Sequence, residues 1–212
     1  MQFNSKKTLL TLAIFSGMAL LPLSCNIVDP FCNSSCGCGS TPTVTDFLIQ
    51  DFEIQTLQSN GNEADSESFY PFDQLSKVIT LGEVEYLALE TSSSSNGIPG
   101  LAFACSIAPP KSANKLKNIQ IFNTEEVKLE SGEVLKVGDN ISHLFGLNYY
   151  HNQGLESIAD FIENGVEIYL DDSFKLQFQN DPKKELKLSF SIQIQLDGGQ
   201  EFNYQNEVLR IN

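Results

Sequence analysis

Two histidines, His143 and His151, stand eight residues apart, with Tyr149 and Tyr150 between them. A catalytic histidine needs a nucleophile to activate or a proton to move, and an acid to orient it. Ser142 is adjacent, but no acid stands at a defined spacing, and neither G-x-S-x-G nor H-E-x-x-H occurs. Both histidines read as surface residues, and no residue is assigned as catalytic. Carboxylates are plentiful: Glu125, Glu126, Glu130, Glu133 and Asp139 in one stretch, Asp171 and Asp172 in another. A pair flanking a glycosidic bond could hydrolyse it; a solvated acidic face is the plainer reading. Calcium at Asp171, Asp172 or Asp197 would lack the EF-hand loop, and Asp pairs are routine in turns. No metal or cofactor is assigned. Phe69-Tyr70-Pro71-Phe72 and Tyr149-Tyr150 are the candidate contact residues, either as an exposed aromatic patch or as a lid over one end of the fold. Glycan-binding faces favour exposed Trp and Tyr, and Trp is absent.

Cysteine chemistry depends on the compartment, and the N-terminus speaks to that. Lys6 and Lys7 precede an apolar run from Thr8 to Leu23, too short for a comfortable membrane span. Leu21-Pro22-Leu23-Ser24-Cys25 follows. It resembles a bacterial lipobox, in which the cysteine is acylated and becomes the mature N-terminus, although Pro22 stands where an aliphatic residue is usual. Residues 1–24 are therefore expected to be a lipoprotein signal peptide, with Cys25 as the lipidation site. The alternative is an ordinary signal peptide cleaved nearby. Each buried methylene of an acyl chain adds about 0.8 kcal/mol, so several chains together hold a protein on a membrane almost permanently.

Cys32, Cys36, Cys38 and Cys105 remain, an even number in an exported chain, which suggests disulfides. The C-x3-C-x-C cluster with Cys105 could instead bind a soft metal, but the paired C-x2-C spacing of structural zinc sites is missing. Cys105 lies in the apolar run LAFACSIA and reads as a buried thiol. Any disulfide is then expected among Cys32, Cys36 and Cys38. Residues 25–44 are small, polar and rich in Gly, Ser and Pro towards their end, the composition of a flexible tether.

The 212 residues carry 13 Lys and Arg against 27 Asp and Glu, a net charge of −14. Removal of residues 1–24 takes two lysines and no acid, leaving −16. Nucleic acid is excluded as a partner, because phosphates must be neutralised by clustered cations, and Arg210 is the only arginine. At 41% hydrophobic residues the chain can build a core.

The elements that would position any site are mostly strands. Leu186, Leu188, Phe190, Ile192, Ile194 and Leu196 alternate with polar residues, which predicts a strand with one buried face. Asp197-Gly198-Gly199 predicts a tight turn, and residues 202–211 a return strand with a bulge at Asn206. One long strand is expected over Phe47 to Leu57, with a single shift of register. Val84 to Thr91 and Leu101 to Ala108 read as strands covered on both faces or lying in the middle of a sheet. Further strands are expected around Ile119 and Ile121, over Val127–Leu129 and Val134–Val137 with a turn at residues 130–133, and as a pair formed by Val166–Leu170 and Phe174–Phe178. Leu155, Ile158, Ala159 and Ile162 fall at helical spacing, so a helix is predicted over 155–163, stopped by Asn164-Gly165. A shorter turn is expected at 139–145, capped by Asp139 or Asn140.

Eight or nine strands and one short helix over residues 45–212 predict an all-β fold. The expected architecture is a two-sheet antiparallel β-sandwich, Ig-like in broad outline, with the helix in a connection. A closed barrel with a helical plug is the alternative. The order of parts runs from lipobox through Cys/Gly-rich tether to β-rich domain. The domain then holds the helix Leu155-Glu156-Ser157-Ile158-Ala159-Asp160-Phe161-Ile162 and ends in the hairpin Phe190-x-Ile192-x-Ile194-x-Leu196-Asp197-Gly198-Gly199. This layout resembles a group of β-sandwich lipoproteins of Bacteroidota, a resemblance that implies no particular activity. The resulting expectation is an exported, lipid-anchored module on a bacterial membrane, the outer membrane favoured, without enzymatic activity and with a protein or glycan partner. A glycan hydrolase using paired carboxylates and a subunit of a surface assembly are the alternatives.

Overall fold

The computed structural model describes residues 46–87 and 109–212, which belong to one compact unit. Cys25, Cys32, Cys36, Cys38 and Cys105, the boundaries at 24 and 44, and the expected strand at 101–108 lie outside the described residues.

The fold is all-β, and among the described residues every pairing between two named strands is antiparallel. A five-stranded sheet contains β2 (Phe52–Gln58), β3 (Leu75–Leu81), β8 (Phe145–Tyr149), β9 (Glu156–Ser157) and β10 (Ser173–Phe178), in the order β2-β3-β10-β8-β9. A three-stranded sheet contains β5 (Leu116–Asn123), β11 (Leu186–Leu196) and β12 (Glu201–Ile211), in the order β12-β11-β5. The described residues also form two small ribbons: β1 (Phe47–Ile49) with β4 (Val84–Tyr86), and β6 (Val127–Lys128) with β7 (Val134–Leu135).

The two larger sheets share one apolar core. All six alternating apolar residues of β11 are buried. Phe190 meets Phe145 of β8 at 5.4 Å between ring centroids, and Phe52 of β2 meets Phe202 of β12 at 5.2 Å. The sandwich expected from the alternation is what the chain builds.

Strand β12 reaches the core by changing phase. Phe202 and Tyr204 point inward, then Asn206 adopts φ +63° and the register with β11 slips by one residue between Phe190 and Ile192. Beyond the bulge it is Glu207, Leu209 and Ile211 that face in. An extra residue on one strand re-aims every side chain after it. The bulge delivers Glu207 to Lys77 of β3, Nζ to Oε2 2.6 Å, while Lys77 also donates to Thr56 Oγ1 at 2.8 Å. The Lys77 side chain is 5% exposed. A buried lysine is tolerated only when paired, and this one ties the two sheets together.

Several expected elements are corrected. Phe47–Leu57 is not one strand: it breaks at Gln50-Asp51, whose amides both donate to the Glu83 carbonyl, and β1 and β2 join different sheets. Strand β4 is half-covered at Val84 and exposed at Glu85 and Tyr86, not covered on both faces, and residues 88–91 of the expected strand lie outside the described residues. Val166–Leu170 makes no strand with β10. It forms isolated bridges to Lys111 and Leu116, and β10 lies instead between β3 and β8. The helix, α1, is shorter than the spacing suggested, Ile158–Ile162. Ser157 caps it by accepting from the Asp160 amide at 3.1 Å, so Glu156 and Ser157 are free to pair as β9. Ala159 is exposed and Phe161 packs on the core instead. The stop at Gly165, φ +71°, is as expected. The turn at 139–145 is a 3-10 turn, Ser142–Leu144; its N-cap position is Ile141, which has no capping side chain, and the expected Asn140 accepts from the Ser142 amide at 3.0 Å.

Candidate functional site

The five aromatic residues singled out by sequence are all half-buried, and they serve two different parts of the fold. Tyr70 runs beside the end of β12: its amide donates to the Arg210 carbonyl (3.2 Å), its carbonyl accepts from Asn212 (2.9 Å), and its hydroxyl accepts from the Asp65 amide (3.0 Å). The Phe72 amide donates to the Asn212 carbonyl at 3.2 Å. The Arg210 guanidinium lies 5.8 Å from the Phe69 ring centroid. This segment seals the last strand. Tyr149 packs against Phe161 and Phe174, each at 5.4 Å, beside α1. Burial, and next the nearby Asp172, push its phenol above the ordinary value. Tyr150 stands edge-on to His151 at 5.1 Å.

His143 and His151 are exposed. The Ser142 hydroxyl accepts from the Ile121 amide at 2.9 Å, which commits it to the edge of β5. Asp172 and Asp197 accept from the backbone amides of Tyr169 (2.8 Å) and Lys115 (2.9 Å), the work of turn residues. Among the described residues no group of three His, Cys, Asp or Glu is arranged to hold a metal ion.

A cavity of about 280 Å³ lies beside the β6–β7 hairpin and contains Glu130, Glu133, Asp181 and Lys184 in its wall. Glu130 pairs with Lys184 at 3.2 Å and Asp181 with Lys183 at 2.8 Å. The Lys183 hydrogen bonds hold the Asp181 carboxyl below its usual range. Hydrogen bonds from Lys187 and Ser189 do the same to Glu125, and those from Lys111 and Tyr169 to Glu167. A glycosidase acid needs its pKa raised; these groups are held as anions.

A third arrangement is carried by the outer face of the three-stranded sheet. Antiparallel register sets Asn118, Gln195 and Glu201 in one row across β5, β11 and β12, and Gln120, Gln193 and Asn203 in the next. Phe122 and Ser191 begin a third row. Gln193, Gln195 and Asn203 all donate side-chain amide protons to the Glu201 carboxylate, at 2.5, 3.2 and 3.1 Å. The Asn118 amide donates to Gln195 Oε1 at 3.3 Å. Glu201 is thereby held below the usual carboxylate range, by Asn203 first and then Gln195 and Gln193. Gln193 and Gln195 are visible in the sequence as the polar half of an alternating strand. Their partners on β5 are not, because nothing local in Asn118 to Phe122 states which strand it joins or in what register.

No family model matches this chain, and no curated protein does. Among solved structures it is similar to the C-terminal domain of the Streptococcus agalactiae AgI/II polypeptide BspA (WT), at 10% identity and a TM-score of 0.27, over 76% of this chain and 49% of that one. A second structure, titled BspA_C_mut, gives 9% identity and a TM-score of 0.27 over 76% and 46%. The chain thus spans about half the length of the structures it matches. At these values the likeness assigns neither a family nor an activity.

Proposed function

We propose that this chain is a lipoprotein, anchored to a bacterial membrane through Cys25, that presents an acidic β-sandwich as a non-enzymatic binding module at the cell envelope. The observation that carries the anchor is the N-terminal order of Lys6-Lys7, an apolar run, and Leu-Ser-Cys25. No described helix is long and apolar enough to cross a membrane, so in this reading the acyl chains supply the attachment. Binding rather than hydrolysis is supported by the carboxylates. Among the described residues, those with shifted acidity (Asp65, Glu125, Glu167, Asp181 and Glu201) are all pushed downward by hydrogen bonds that favour the anion, which is the opposite of what a general acid requires. The test is cell fractionation of the wild type and Cys25→Ala. The wild type is expected with the membranes, and the variant unprocessed or soluble. Wild type recovered free in the culture fluid would overturn the proposal.

A further inference from the structure

The outer face of β5, β11 and β12 is unusual for this molecule. The chain as a whole is strongly acidic, −14, yet the two rows across this face hold five side-chain amides and one carboxylate, with no lysine or arginine. Four of the five amides are held by hydrogen bonds. Asn118 donates to Gln195, and Gln195, Gln193 and Asn203 converge on Glu201. Four side chains with long, flexible stems or free rotors are fixed before any ligand arrives, which lowers the entropy a ligand must overcome. Neighbouring strands lie about 4.8 Å apart, close to the advance of one pyranose ring along a glycan chain.

Resting on the reading of the chain as a binding module, we propose that this face is its binding site and that the ligand is a neutral polysaccharide lying across the three strands. The chemistry fits on both sides. The Glu201 carboxylate keeps one acceptor position free on Oε2 for a hydroxyl proton, and side-chain amides both donate and accept, so vicinal sugar hydroxyls meet partners of both kinds. Phe122, in the row beyond Gln120 and half-buried, offers a ring for the apolar face of a sugar. Charge selects among partners: an anionic polysaccharide, nucleic acid or anionic lipid would approach a molecule of the same sign, and the two cations further along this face, Lys187 and Arg210, are already paired with Glu125 and Glu67. The two rows themselves hold no aromatic, Met or Arg side chain, the types that anchor protein interfaces, and Phe122 and Arg210 at their margins are half-buried.

The test is native affinity electrophoresis of the full chain, purified from membranes in detergent, through gels containing galactomannan, xyloglucan, mixed-linkage β-glucan or glycogen, with alginate as the anionic control. The expected result is retardation by at least one neutral polysaccharide and none by alginate. The double variant Gln193→Ala/Gln195→Ala should lose at least tenfold in affinity while keeping the wild-type circular dichroism. Glu201→Gln keeps shape and removes the charge; it should weaken binding as well, and it serves if the double variant folds poorly. Retardation by none of the four, or retardation unchanged in both variants, overturns the proposal. So does a concentration-dependent dimer of the wild type that both variants abolish, which would assign the face to a second copy. Membrane fractionation of the same preparations reads the anchoring separately, so a failed glycan arm with a membrane-bound chain removes this site and leaves the anchored module standing.

Discussion

Strands β3 and β11 are built on opposite plans. In β11 every second residue is buried and every other is partly open, along eleven residues. In β3 five consecutive residues, Leu75 to Ile79, are buried, including Ser76 and the charged Lys77. The first is one wall of the sandwich with water on its far side. The second is an inner strand between β2 and β10 that is covered on both faces. A wall can vary its outer residues freely and so can carry a site. A strand covered on both sides must satisfy every polar group internally, and Lys77 does so through Glu207 and Thr56.

The sharpest break of this contrast is at Glu207. Glu207→Ala leaves Lys77 buried without its counter-ion and is expected to cost about 3–5 kcal/mol. Replacing both members, Lys77→Met with Glu207→Leu, should recover most of that loss, because a buried pair is often matched by apolar packing. Chemical denaturation of the three variants reads both numbers. A loss under about 1 kcal/mol in the single variant would mean that the pair is wet, of the surface kind.

Next comes the two-faced strand itself. Ile192 is fully buried, so Ile192→Ala should cost about 2–5 kcal/mol through lost contacts and the cavity left behind. Its neighbour Gln193→Ala should stay within about 0.5 kcal/mol. Equal losses at the two positions would show that β11 has no open face.

The bulge is expected to matter less than either. Asn206 sits at φ +63°, so Asn206→Val should destabilise by about 1–2 kcal/mol, while Asn206→Gly stays near wild type. If both substitutions are silent, the phase change of β12 does not depend on this residue.

The smallest effect is on acidity. Glu125, Glu167 and Glu201 are each depressed below an ordinary value of 4.5 by hydrogen bonds present only in the folded state. A depressed carboxyl contributes stability above its unfolded pKa and loses it as pH falls through its folded pKa. The melting temperature should therefore decline below about pH 4.5, and Glu201→Gln should flatten part of that decline. A melting temperature that rises between pH 4.5 and 3 would contradict the assignment.

The same contrast explains what the sequence could disclose. β11 and β12 are legible because water on one side imposes a period of two, and Asn206 marks itself by interrupting it. β3 leaves no such trace: LSKVITL alternates on neither face, since both are buried and one holds a lysine whose partner is 130 residues away. The β1–β2 break is invisible for a related reason. Gln50-Asp51 reads as ordinary polar positions until the Glu83 carbonyl, distant in sequence, collects both amides. At the candidate site, the polar half of β11 was readable and the rows it forms with β5 were not, because register between non-adjacent strands is a tertiary property.

Membrane attachment through Cys25 is the claim on which the functional account rests, and the mass of the N-terminal peptide tests it most directly. Chain purified from membranes of a bacterial host should begin at Cys25, carry the added mass of acyl chains, and lack residues 1–24. An N-terminal peptide that retains those residues, or one that starts at an unmodified Cys25, would contradict the account.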